Sequence, residues 1–302
     1  MTLPDLVADT TRQLTEAGVA FGHGTTNAHD EAAWLVLHAL GLPLDTDLRG
    51  AEANRALTPA GRSAVATLLE ARIATRRPLA YLTHEAWLQG VPFHADERAI
   101  VPRSLIAEVI ADGSLEPWLS FDAPRVLDLC TGNGSLAVLA ALALPDARID
   151  AADLDPDALA VARINVDRHG LQRHITLLVS DGLAACPGRY DLILCNPPYV
   201  NAASMAALPP EYRAEPAIAL AGGADGMDFI RQLLRDAAKH MTDEAVLVLE
   251  VGHERAHFEA AFPRLEAVWL ETSADVDQVL LLTREALAGP RLGGHFGENG
   301  PR

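Results

Sequence analysis

The 302-residue chain predicts an α/β protein: a seven-stranded, mostly parallel sheet with helices on both faces, a small N-terminal helical domain and a linking β-hairpin. Three observations predict it. From Pro124 onward, short apolar runs alternate with helix-length segments, the pattern of repeated strand–helix–strand units. Before about residue 80 the apolar positions fall at helical spacing instead. Between the two, Trp87-Leu88-Gln89-Gly90-Val91-Pro92-Phe93 alternates around a glycine, as a hairpin does.

In residues 1–84, Ala32, Leu35, Val36, Ala39 and Leu40 share one helical face. Val65, Leu68, Leu69, Arg72 and Ile73 continue the pattern until Arg77-Pro78. No cluster of acids, bases or ligands occurs there, so the segment reads as a small helical bundle. Residues 85–123 hold the hairpin and a linker helix from Ser104, a suitable N-cap, to about Trp118. Residues 124–288 form the sheet domain. Its strand candidates are Arg125–Leu129, Arg148–Ala152, Ile175–Val179, Asp191–Leu194, Ala245–Glu250, Ala267–Leu270 and Gln278–Thr283. Helices are expected at Leu136–Ala143, Pro156–His169 and Phe229–His240. Residues 289–302, rich in Gly and Pro, read as a flexible tail.

Charge and composition narrow the function. The net charge of −17 leaves no basic stripe for a nucleic-acid duplex and repels phosphate backbones, so specific DNA binding is not expected. A basic protein partner would be attracted. The longest apolar stretch, Leu136 to Pro145, is too short to span a bilayer, and the acidic Met1 to Asp9 is not a signal peptide. Cys130, Cys186 and Cys195 have no CxxC spacing and fit reduced, mostly core thiols in a cytoplasm.

The first strand of the sheet domain runs through Asp128, Leu129, Cys130 and Thr131 into Gly132-Asn133-Gly134-Ser135, and a helix follows. Glycines there let backbone approach a ligand, and the helix N-terminus offers free N–H groups. About twenty residues on, a second strand ends in Asp153, a carboxylate able to accept both hydroxyls of a ribose. Asp155 competes for that role but precedes Pro156 and better suits a helix cap. A third strand ends at Ser180-Asp181-Gly182, where an acid could accept from an adenine amino group. Ala137 at the third position of the glycine pattern is permitted in dinucleotide enzymes, so NAD stays open at this point.

The fourth strand runs into Asn196-Pro197-Pro198-Tyr199. Proline cannot donate, which leaves carbonyls near Asn196 and Pro197 free, and the Asn196 side-chain carbonyl is a further acceptor. Two fixed acceptors suit an NH2 group on a flat π-system, and Tyr199 can stack on that plane. Holding both hydrogens turns the nitrogen lone pair out of the plane for in-line attack on a methyl group. His253-Glu254-Arg255-Ala256-His257 matches a zinc-protease pattern, but a helix would have to start inside the motif, so no metal site is expected.

These residues resemble the S-adenosylmethionine-dependent N5-glutamine methyltransferases, whose catalytic domain has the Rossmann-like class I fold. The tetrapeptide is shared with N6-adenine methyltransferases. The glutamine enzymes are resembled also in the helical N-terminal domain, the hairpin, the loop Glu215-Pro216-Ala217-Ile218-Ala219-Leu220 and Gly222-Gly223-Ala224-Asp225-Gly226. One branch modifies the Gly-Gly-Gln motif of release factors and reads Ile-Pro-Arg-Pro-Asp-Thr before the core. The other modifies ribosomal protein L3 and reads Val-Pro-Arg-Ser. Val101-Pro102-Arg103-Ser104 resembles the second.

The resemblance implies a cofactor site of Asp128, Cys130, Thr131, Gly132, Asn133, Gly134, Asp153, Leu154, Asp181, Gly182 and Asn196. It implies that Asn196, Pro197, Pro198 and Tyr199 hold the glutamine, with Asn196, Pro197 and Tyr199 catalytic. The implied partner is ribosomal protein L3, free or in a large-subunit assembly intermediate. Three departures stand out: Cys130 for the usual first Gly, Leu105 for a frequent Pro, and Gly182 where release-factor enzymes carry an aromatic against adenine.

Overall fold

The computed structural model describes residues 2–54, 56–119 and 123–289. The expected tail therefore lies, apart from Gly289, outside the described residues. Helix α1 (Leu3–Glu16) begins with a reciprocal cap: Thr2 Oγ1 accepts from the Asp5 N–H, and the Thr2 N–H donates to Asp5 Oδ2 at 2.8 Å. Helices α2 (Ala28–Ala39), α3 (Pro59–Thr75) and α4 (Leu79–Thr83) pack with it around Leu3, Leu14, Leu35, Val65 and Leu69. Arg72 on α3 is fully buried; its Nε donates to Glu31 at 2.8 Å and its Nη2 to the Ala20 carbonyl at 3.0 Å. Strands β1 (Ala86–Leu88) and β2 (Val91–Phe93) form the hairpin, and Gln89 and Gly90 turn it with positive φ of 50° and 73°.

The linker helix is shorter than its sequence predicts. Helix α5 (Ile106–Ala111) stops at Asp112-Gly113, where Gly113 has φ 77°, and a separate 3-10 turn follows at Glu116–Trp118. Leu105, not Ser104, is the N-cap residue. The Ser104 hydroxyl donates at 2.6 Å to the buried carboxylate of Glu250, while its oxygen still accepts from the Ile106 N–H at 3.3 Å.

The sheet domain follows in chain order: β3 (Arg125–Leu129), α6 (Ser135–Ala143), β4 (Arg148–Asp153), α7 (Pro156–Arg168), β5 (Ile175–Val179), β6 (Tyr190–Cys195), α8 (Ala202–Ala207) and α9 (Pro210–Arg213). Then come α10 (Asp228–Asp236), β7 (Met241–Glu250), α11 (Arg255–Ala261), β8 (Val268–Thr272), β9 (Asp275–Thr283) and α12 (Arg284–Ala288). The strand order is β5-β4-β3-β6-β7-β9-β8, parallel from β5 to β7, with β9 antiparallel to both neighbours. This is a Rossmann-like, seven-stranded mixed sheet.

Side chains alternate between two layers. Val126, Leu192, Leu194, Val246 and Val248 pack toward α5 and α6. Leu127, Leu129, Ile193, Leu247 and Leu249 pack toward Ile230, Leu233 and Leu234 of α10. Strands β7 and β9 extend beyond their apolar cores, to Met241 and Asp275, because pairing continues there with Tyr190 and Thr272. The helix expected over Phe229–His240 tightens to a 3-10 turn at Ala237–His240. No described helix is long and apolar enough to cross a membrane.

The segment around α9 is bound to the N-terminal bundle. Buried Glu211 accepts from the Ala20 N–H and from Arg76 Nη1, both at 3.1 Å, and lies 3.5 Å from Arg72 Nη1. Strand order reverses at β3, which opens a crevice at the carboxyl ends of β3, β4 and β6.

Candidate active site

The turn after β3 is built from within. Buried Asp128 Oδ2 accepts from the Thr131 hydroxyl at 2.5 Å and from the Ala137 N–H at 2.9 Å. Burial pushes its carboxyl up to about 7 against the pull of those two donors. Its Oδ1 is buried and without a hydrogen-bond partner among the described residues. Asn133 Nδ2 donates to the Ile100 carbonyl at 2.6 Å, and its Oδ1 accepts from the Ser135 N–H at 2.9 Å. Gly134, at φ 79°, lies where a Cβ would come within 3.0 Å of Ala162 on α7. Asp128, Thr131, Asn133 and Gly134 therefore shape the turn without lining the cavity above it.

That cavity, about 120 Å³, is bordered by Cys130, Gly132, Asp153 and Leu154 on one side and by Asp181, Gly182 and Asn196 on the other. A Cβ at Gly132 would project into open space. Asp153 Oδ2 accepts from the Gly132 N–H at 2.8 Å and Oδ1 from the Asp155 N–H at 2.9 Å, which leaves each oxygen a lone pair. Burial raises the Asp153 pKa. Asp155 also borders the cavity, but it caps α7 by accepting from the Asp157 N–H at 2.9 Å. Ile218, from the loop that begins at Glu215, supplies apolar wall together with Ile100 and Phe229, which no sequence motif marked. A Cβ at Gly182 would stand 3.8 Å from the Phe229 ring. An aromatic thus reaches this position from α10, and only the fold brings it there.

The tetrapeptide separates this cavity from a larger one of about 630 Å³, bordered by Pro197, Tyr199, Arg103, Tyr212 and Glu250. Asn196 borders both, and its side chain makes no hydrogen bond to any described residue. Pro198 faces the smaller cavity. Close backbone packing fixes the segment: a Cβ at Gly222 would lie 2.8 Å from the Pro198 carbonyl oxygen, and one at Gly226 would lie 2.1 Å from that of Tyr199. A Cβ at Gly252 would fall 2.4 Å from the Tyr199 ring.

The Tyr199 hydroxyl donates to Glu250 Oε1 at 3.0 Å. Arg103 donates to both oxygens of buried Glu215, at 2.5 and 2.7 Å. Burial alone would raise Glu215, but the Arg103 charge brings it to about 2. Val101-Pro102-Arg103-Ser104 and the loop from Glu215 are thus joined by an ion pair. Glu250 was not singled out from sequence; its one signal is an acid closing an apolar strand. In the zinc-protease pattern, His253 stands in a 3-10 turn and α11 starts at Arg255, inside the motif. Glu254 accepts from Asn201 at 2.6 Å and pairs with His257 at 2.5 Å.

The methyltransferase small domain family matches residues 115–208. The chain is 54 % identical to the "Ribosomal protein uL3 glutamine methyltransferase" of Bordetella pertussis over 95 % of its length and 96 % of that protein's. It is 51 % identical to the same-named protein of Burkholderia pseudomallei, covering 93 % and 94 %. Among solved structures, the fold is similar to the hMettl16 catalytic domain in complex with MAT2A 3'UTR hairpin 6, with TM-score 0.52, 15 % identity and 79 % and 86 % of the two chains covered.

Proposed function

Because the chain belongs to the ribosomal protein uL3 glutamine methyltransferases, we propose that it transfers a methyl group from S-adenosylmethionine to a glutamine side-chain amide of ribosomal protein L3. The observation that carries this reading is the position of Asn196, the one residue of the tetrapeptide bordering both cavities. A nucleophile held in one cavity and a methyl donor held in the other would meet at its side chain.

The smaller cavity suits the donor on three counts. Asp153 keeps lone pairs for two ribose hydroxyls. Phe229, Ile218 and Leu154 offer an apolar surface for a purine. The open side of Gly132 lets backbone approach. Cys130, Gly132, Asp153, Leu154, Asp181, Gly182 and Asn196 would hold the group, with Asp128, Thr131, Asn133 and Gly134 fixing the turn. When bound, S-adenosylmethionine supplies an electrophilic sulfonium methyl.

The chain's own work is alignment. The Asn196 carbonyl and the carbonyl of Pro197 accept the two amide hydrogens, and the Tyr199 ring covers the amide plane. This orients the nitrogen lone pair without a strong base. Residues 1–84, with the Arg213–Leu220 loop, would recognise the protein, and the −17 charge favours a basic one. L3 could be met free or in an assembly intermediate, and either substrate puts the enzyme's work in the cytoplasm. Mass spectrometry of L3 from a deletion strain tests the reading: one methyl should be missing from a single glutamine. A loss on release factors instead, or methyl transfer to purified DNA, overturns it.

A further inference from the structure

Glu250 is the buried ionisable group at the tetrapeptide that the proposed transfer leaves unused. It closes β7, borders the larger cavity and has both carboxylate oxygens engaged. Oε2 accepts from the Ser104 hydroxyl at 2.6 Å and from the Leu105 N–H at 2.9 Å. Oε1 accepts from the Tyr199 hydroxyl at 3.0 Å. An amide nitrogen that has accepted a methyl group is acidic enough to release its proton to water, so the transfer needs no carboxylate base.

The carboxylate instead has the form of a bracket. Two donors from the start of α5 fix one oxygen, so the other stands at a defined point. A tyrosine ring otherwise slides and tilts about its side-chain torsions. At Tyr199 the hydroxyl end of the ring packs against Gly252, where a Cβ would fall 2.4 Å from the ring and 3.0 Å from its oxygen. The glycine backbone bounds the ring at that end, and the hydroxyl bond to Glu250 holds it against that contact at one depth in the cavity. Arg103, one residue before Ser104, is itself locked on Glu215, so the bracket is anchored in the same segment that holds the substrate loop. Burial disfavours the charged carboxylate, so its donors are needed to keep it a strong acceptor.

We propose that Ser104 and Glu250 form a positioning relay that holds the Tyr199 ring at the depth where it covers the substrate amide. This rests on the glutamine methyltransferase reading and assigns Ser104 a role in its rate. Neither Ser104 nor Glu250 touches the reacting atoms; both act through Tyr199.

A double-mutant cycle tests the relay. Ser104→Ala, Tyr199→Phe and the pair are compared for kcat and KM on L3, and for S-adenosylhomocysteine affinity by calorimetry. Each single change should lower kcat about tenfold while KM and cofactor affinity stay within about twofold. The pair should be no slower than Tyr199→Phe alone, because the hydroxyl that Ser104 serves is already gone. Losses that multiply to about a hundredfold overturn the relay, as does an unchanged kcat in Ser104→Ala. If Ser104→Ala fails to fold, Glu250→Gln replaces it with the same expectation. If the wild-type protein labels a release factor or DNA in place of L3, the substrate reading fails, and the cycle is read on that substrate.

Discussion

Replacing Asp128 with Asn should remove a pH-dependent weakness at the heart of the glycine turn. The Asp128 carboxyl has no solvent contact, and burial raises it from 3.8 to about 7. The folded protein thus retains a proton that the unfolded chain has already released between those values. The resulting stabilisation is fully present below the unfolded value and is lost as pH rises through the folded one. Each pH unit inside the window is worth about 1.4 kcal/mol. From about pH 5 to about pH 8 the wild type should therefore lose about 2 to 3 kcal/mol that the non-titrating variant keeps. Urea unfolding of both proteins across that range gives the difference directly. A difference that stays flat, or that favours the wild type as pH rises, refutes a buried and largely protonated Asp128.

Asn196→Ala should lower kcat by about 100-fold or more while cofactor affinity changes far less, as read from labelled methyl transfer and calorimetry; an unchanged rate sinks the proposed alignment. Gly252→Ala puts a Cβ 2.4 Å from the Tyr199 ring at a residue with φ 52°, so methyl transfer should fall at least about tenfold and the melting temperature should drop. Arg103→Ala leaves Glu215 buried without its cation and should cost about 3 to 5 kcal/mol in chemical denaturation. A loss near zero there would mean that water replaces the guanidinium.

Much of the sheet was legible because its strands are short apolar runs closed by turns, and periodicity reads such runs directly. Its ends were less so: Met241 and Asp275 join strands through backbone pairing that side-chain pattern does not encode. The linker helix was overextended because Asp112-Gly113 can interrupt a helix or merely sit within one. The local rule for Ser104 found its bond from the Ile106 N–H but not the carboxylate it donates to, which lies 146 residues away. The same limit explains the site. Asp153 and Asn196 end strands at the crevice and could be read from order alone. Phe229, Ile100 and Glu250 come from elements that converge only on folding. The glycines of Gly222-Gly223-Ala224-Asp225-Gly226 could be seen, but not that two of them face the backbone of Pro198 and Tyr199.

The bond between Glu211 and the N-terminal bundle has a consequence for how such a protein can be recombined. A chimera that exchanged only residues 1–84 would face Glu211 with foreign cations and a foreign Ala20 amide. The chain has one inheritable module that is discontinuous: the bundle together with the insert around α9, separated by the nucleotide-type core. Grafting the bundle's specificity onto a sister enzyme would therefore require both pieces to travel together. Sequence drift in Arg72 or Arg76 should likewise be tolerated only alongside change at Glu211.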